Sequence, residues 1–98
     1  MNRKEIDFYI STTYPDIPFL FADGFDEAII GVAQTFHSFS IAYDKNKCIE
    51  VLMKETDFTQ SMSEEEAIEY FDYNVVGSYV GEHTPTFIEI IKEWVERI

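Results

Sequence analysis

Phe39-Ser40-Ile41-Ala42-Tyr43-Asp44-Lys45-Asn46-Lys47-Cys48-Ile49-Glu50-Val51-Leu52-Met53 changes its period halfway along. Phe39, Ile41 and Tyr43 alternate with Ser40 and Ala42, which reads as a strand with one apolar face. After Asp44 the apolar positions Ile49, Leu52 and Met53 recur at three and four residues, which reads as a helix to about residue 55. Asp44 is suited to cap it, since its carboxylate can accept a bond from an otherwise orphan first-turn N–H. A strand running straight into a helix puts both kinds of element in one domain.

Upstream, residues 34–38 read as a turn that holds His37. Residues 25–33 read as a strand, although Asp26-Glu27-Ala28 can equally open a helix. Apolar residues on both of its faces suggest a central position in the sheet. Asp23-Gly24 is a two-residue hairpin signal, and the apolar run Ile17-Pro18-Phe19-Leu20-Phe21-Ala22 reads as a further strand with Pro18 at its start or edge. Residues 3–13 read as a helix with Ile6, Tyr9 and Ile10 on one face. Tyr14-Pro15 ends it, because the residue before a proline is pushed out of helical angles.

Downstream, residues 56–62 are polar and read as a loop. Ser63-Glu64-Glu65-Glu66 is a capping-box pattern opening a helix to about residue 79, with Ala67, Ile68, Phe71, Val75 and Tyr79 inward. Gly81 is its expected C-cap. Residues 86–97 read as a last helix, with Phe87, Ile88, Ile91, Trp94, Val95 and Ile98 at helical spacing and Glu93 four residues before Arg97. The expectation is one α+β domain over residues 1–98: a three-stranded antiparallel meander with about four helices, packed on one face of the sheet.

Hydrophobic residues make up 46% of the 98-residue chain, enough for one core and too many for a disordered chain. Its net charge is −12 and unevenly spread. Residues 1–54 hold eight acids and five bases, residues 55–98 eleven acids and two bases. A field of that sign repels phosphate and anionic membrane and attracts basic surfaces, so direct nucleic-acid binding is disfavoured. No apolar run is long enough to span a bilayer, and no apolar stretch follows Met1-Asn2-Arg3-Lys4-Glu5, so no signal peptide is expected. One cysteine, Cys48, cannot form an internal disulfide, which suits a reducing cytoplasm.

Several residues are candidates for chemistry. Gly81-Glu82-His83-Thr84-Pro85 puts an acid, an imidazole and a hydroxyl in one loop, a set able to move a proton or begin a metal site. Two local ligands do not complete such a site, and a connector that satisfies helix ends explains them as well. His37, with Asp23, Glu27 or Asp44, could complete it only in space, since no metal-binding spacing is present. Asp23-Gly24-Phe25-Asp26-Glu27 lacks the ligand ladder of a calcium loop. Cys48 reads as core packing, and Asn74 as a partner for the Gly81-Glu82 loop. No cofactor and no metal is expected. The weak catalytic candidates are Glu82, His83 and Asp44. The collective signal is acidic: Glu64, Glu65, Glu69 and Asp72 line one expected helix, and Glu89, Glu93 and Glu96 another. Together they would form a carboxylate surface able to imitate phosphates, or one that only aids solubility.

Tyr43-Asp44, Lys47-Cys48-Ile49-Glu50, Leu52-Met53, Glu65-Glu66-Ala67-Ile68-Glu69-Tyr70-Phe71 and Asn74-Val75-Val76-Gly77-Ser78-Tyr79-Val80-Gly81-Glu82, followed by Thr84-Pro85 and Phe87, form a pattern. With Gly24-Phe25-Asp26-Glu27-Ala28-Ile29-Ile30-Gly31-Val32, it resembles a family of small proteins of unknown activity in bacteriophage and bacterial genomes. The resemblance spans about residues 23–87. It implies an origin and no mechanism, and a phage setting favours a small protein that binds and blocks a host factor. The expected function is therefore a non-enzymatic protein that docks its acidic helices on a basic partner. Alternatives are a small metal-binding protein or hydrolase using Glu82-His83-Thr84, and a self-associating structural protein using exposed aromatics such as Tyr73 or Phe58.

Overall fold

The computed structural model describes residues 2–54, 62–78 and 80–92. Within them the chain forms α1 (Arg3–Thr13), a single 3-10 turn (Asp26–Ala28), β1 (Ile29–Gln34), β2 (Phe39–Asp44), α2 (Lys45–Met53), α3 (Glu64–Tyr70), a π-helical continuation (Phe71–Val76) and β3 (Thr86–Ile88). The domain is α+β, as expected.

α1 begins with a capping box. The Asn2 side chain accepts the Glu5 N–H at 2.9 Å and the Glu5 carboxylate accepts the Asn2 N–H at 3.0 Å. Ile6 and Ile10 are its buried face. Arg3 fixes the helix laterally, with its guanidinium against Asp7 (2.9 Å) and Asp26 (3.0 Å) and over the Phe21 ring at 3.5 Å.

The expected strand 17–22 does not form. Pro18 has no donor, the Ile17 N–H turns back to the Tyr14 carbonyl and the Phe19 N–H to the Ile17 carbonyl. The Ala22 N–H goes to the Tyr43 hydroxyl, 2.7 Å away, so these three donors are not free to build a ladder. Phe19, Phe21 and Ala22 pack on the core instead. Gly24, at φ +89°, makes the turn after them, but no hairpin follows it.

Of the expected strand 25–33, residues 26–28 take the helical option as one 3-10 turn and residues 29–34 are strand. β1 is an edge strand rather than a central one, because the sheet order is β1-β2-β3. β2 is central, and its residues Ser40 to Tyr43 are all buried. β1 and β2 form an antiparallel hairpin with a bulge between Ile29 and Gly31. β3 lies parallel to β2, with Ala42 opposite Thr86 and Asp44 opposite Ile88. The sheet is therefore mixed, and the all-antiparallel meander is corrected. A parallel neighbour needs a long crossover, which α2 and α3 supply.

β3 replaces the start of the expected helix 86–97. Thr86 and Phe87 gain more from the free edge of β2 than from their helical spacing. The Thr86 and Ser40 hydroxyls share a hydrogen bond at 2.7 Å, and Phe87 packs on Tyr43 and Phe71 at centroid distances of 5.4 and 5.0 Å. This is tertiary context overriding a local pattern. Residues 91 and 92 are helical, while Glu93, Trp94, Val95, Glu96, Arg97 and Ile98 lie outside the described residues. So do residues 56–61 of the expected loop 56–62, with Phe58, and Tyr79. The described α-helices number three rather than four.

Asp44 caps α2 through the Lys47 N–H at 3.2 Å, and Ser63 with Glu66 forms the expected box on α3. α3 departs from expectation at its far end, where the helix widens to a π turn at Phe71 and stops at Gly77. Ala67 and Phe71 are buried as expected, but Ile68 is exposed. The core gathers Tyr43, Phe71, Ile41 and Cys48, all fully buried, with Phe25 edge-on to Phe71.

Candidate functional site

The Gly81–Pro85 loop is folded onto the start of β2. The Ser38 hydroxyl donates to the Glu82 carbonyl at 2.8 Å. The His83 Nδ1 is 2.7 Å from the Phe39 carbonyl and 3.3 Å from the Ser38 hydroxyl. A carbonyl only accepts, so Nδ1 is the donor in that contact. Thr84 spends its hydroxyl within the loop, donating to the Gly81 carbonyl (2.6 Å) and accepting the Val80 N–H (2.9 Å). Gly81, at φ +119°, opens this turn and is not the cap of α3. The Glu82 side chain is exposed and meets none of these groups. Two of the loop's three chemical groups thus hold backbone together, which is the work of a connector.

Asp44 is not part of this loop's surroundings. It stands five residues beyond Phe39 along β2, about 16 Å away at the rise of a parallel strand, and it caps α2. His37 sits exposed in the β1–β2 turn, against the Phe36 ring at 4.7 Å. Glu27 is bound by Lys54 at 2.8 Å and Asp26 by Arg3, so those acids are used in ion pairs. Among the described residues, no three His, Cys, Asp or Glu side chains gather into a metal-holding group. Burial, and then the Asp44 charge, push the Cys48 thiol up to about 12, which leaves it protonated and inert at neutral pH. The Asn74 carbonyl takes the Ser78 hydroxyl at 2.8 Å, and its side chain is exposed rather than reaching the loop.

The acidic residues of α3 are arranged differently. Glu64, Glu65, Glu69 and Asp72 are all exposed, and the four ion pairs among the described residues involve none of them. Glu66 is occupied with the cap, where the Ser63 N–H and hydroxyl hold its carboxylate below the usual range. Two aromatic residues stand among the acids. Tyr70 is half exposed and Tyr73, on the π-helical segment, is 78% exposed. A shallow cleft of about 490 Å³ runs between Glu66, Glu69, Tyr70, Tyr73 and Asn74. The exposure of Tyr73 is legible in the sequence, as is its place one turn on from Glu69, but the π turn that holds it is signalled by no periodicity. Glu89 is exposed after β3, not on a helix with Glu93 and Glu96 as expected. The acidic surface among the described residues is therefore that of α3 and its continuation.

Among the described residues no helix is long and apolar enough to cross a membrane. A scan against protein-family models finds no match. Searches of curated proteins and of solved structures also find none.

Proposed function

We infer that this protein is a non-enzymatic binding protein that docks the acidic, tyrosine-bearing surface of α3 onto a basic partner protein. On the phage-type reading the partner is a host nuclease or other nucleic-acid-binding protein, held off its nucleic acid by carboxylates that stand in for phosphates. The observation that carries this is the combination on α3. Glu64, Glu65, Glu69 and Asp72 face solvent without a cation among the described residues, next to Tyr70 and Tyr73. Tyrosine is enriched at protein interfaces. Glu65 and Glu69 are also a like-charge pair one turn apart, which weakens an isolated helix and is relieved by an opposing basic surface. A π-helical turn at the same place adds support, since such turns cluster at functional sites.

The test uses a quadruple substitution, Glu64→Gln, Glu65→Gln, Glu69→Gln and Asp72→Asn, in the tagged full chain. Wild type is expected to retain a basic protein from bacterial lysate that elutes as salt rises, and the substituted chain to lose it. Equal retention by both chains would overturn the reading.

A further inference from the structure

We propose that two copies of this chain pair through their β1 strands, antiparallel about Ala33, joining their sheets into one six-stranded sheet. This stands apart from the α3 surface and does not rest on it.

The pattern of the hairpin decides which groups are free. The Thr35 N–H donates to the Ser38 carbonyl at 2.8 Å. Bonded and non-bonded pairs alternate from there, so Ala33–Ser40 and Gly31–Ala42 are bonded pairs, while Val32–Ile41 and Gln34–Phe39 are not. The N–H and C=O groups of Val32 and Gln34 therefore point away from β2, on the open edge of the sheet. They are self-complementary. A second β1 running the other way, with the two Ala33 residues facing each other, sets Val32 opposite the second copy's Gln34 and closes four backbone hydrogen bonds. No neighbouring register does this, because the bulge at Ile30 takes the next outward position out of use.

The same register brings Phe36, at the hairpin tip, level with Ile30 of the second copy. Phe36 is 94% exposed and Ile30 is 50% exposed, and each supplies the apolar cover the other lacks. Beyond the bulge at Ile30, the edge carries none of the usual protection against pairing. Ile29-Ile30-Gly31-Val32-Ala33-Gln34 contains no proline, no lysine and no other charge. Electrostatics permits the contact at this place. The acids that precede the strand, Asp26 and Glu27, are neutralised by Arg3 and Lys54, while most of the −12 charge belongs to residues 55–98.

Sedimentation equilibrium of the full chain, wild type against Gln34→Pro and Phe36→Ser, tests this. Gln34→Pro removes an outward donor that the hairpin does not use, at an edge where proline is tolerated. Phe36→Ser changes a side chain with almost no contacts in its own chain. Wild type is expected at twice the 11.5 kDa chain mass, with association strengthened by added salt as the overall repulsion is screened. Gln34→Pro, which deletes two of the four bonds, is expected to weaken the dimer about thirtyfold. Phe36→Ser is expected to shift it towards monomer, with an unchanged circular dichroism spectrum. A wild type that stays monomeric to its solubility limit overturns the proposal, and so does a dimer that Phe36→Ser and a folded Gln34→Pro both leave intact.

Discussion

His83 holds the first residue of the central strand: its Nδ1 lies 2.7 Å from the Phe39 carbonyl, across 44 residues of sequence. The imidazole also lies near the Phe19 ring, at 6.4 Å between centroids. One side chain thus ties the loop before β3, the irregular segment after α1 and the start of β2. Histidine suits the position because it combines a donor that reaches a carbonyl with a flat apolar body.

Replacing His83 with alanine removes the donor and leaves a partly buried carbonyl with only the weak Ser38 contact. The expected loss is about 1–3 kcal/mol in urea denaturation. His83→Asn, which keeps a donor near the same place, is expected to recover part of it. An equal loss for both substitutions would show that ring packing, and not the hydrogen bond, matters.

Tyr43 and Cys48 make the fold sensitive to alkali. Burial raises the Tyr43 phenol, partly opposed by its bond from Ala22, and burial raises the Cys48 thiol from an ordinary 9.0 to about 12. In both, the fold favours the neutral form. Their stabilising effect is full below the unfolded values and is lost as pH rises through the folded ones. The urea midpoint is expected to be flat from pH 7 to about 8.5 and to fall towards pH 11. Cys48→Ala should lower the midpoint at neutral pH and flatten its alkaline decline. A thiol reagent at pH 7 should meet a thiolate fraction lower by about three powers of ten than in the unfolded chain.

The parts of this fold that were legible in the sequence are those set by neighbours in the chain. The capping box at Ser63, the Asp44 cap and the strand from Phe39 each depend on a few adjacent residues, and each stands where local chemistry puts it. What was not legible depends on distant partners. Ile17–Ala22 has strand composition, but the donors of Ile17, Phe19 and Ala22 are claimed elsewhere, the last by Tyr43. Thr86–Ile88 has helical spacing, yet β2 offers it an edge. The candidate site divides in the same way. The acids of α3 and the exposed Tyr73 could be read directly, but the π turn could not, and the linking role of His83 depends on a contact with Phe39 that no spacing announces.

Two glycines make opposite predictions. Gly24 sits at φ +89° with open space around it, so Gly24→Ala meets only backbone strain, about 1 kcal/mol. Asparagine there should be better tolerated. Gly77 has an ordinary φ of −68°, but a Cβ would lie 2.6 Å from the Tyr73 carbonyl oxygen. That contact is with backbone and cannot be relieved by a rotamer change. Gly77→Ala is expected to cost about 1–3 kcal/mol in thermal or urea unfolding and to disturb the π segment, seen as shifted amide resonances from 71 to 78. A Gly77→Ala chain as stable as wild type would mean that the π turn yields freely.

The α3 surface should show a stability cost that its binding role explains. Glu65 and Glu69 stand one turn apart with no described cation between them, so Glu69→Gln is expected to raise stability by about 0.2–0.5 kcal/mol at low salt and by less at high salt. The cap works in the other direction. Ser63→Ala removes the acceptor for the Glu66 N–H and is expected to cost about 1 kcal/mol. The Glu66 carboxyl is held low by Ser63, so its contribution is present above the ordinary value of 4.5 and is lost as pH falls through the folded value. Wild type is therefore expected to lose more stability below pH 4.5 than a Glu66→Gln chain. Loss of partner capture in a Glu69→Gln chain that is more stable than wild type separates docking from folding, because the substitution would improve one while abolishing the other. Capture unchanged by it would assign the contact to the remaining acids or to the tyrosines, which Tyr73→Ala then distinguishes.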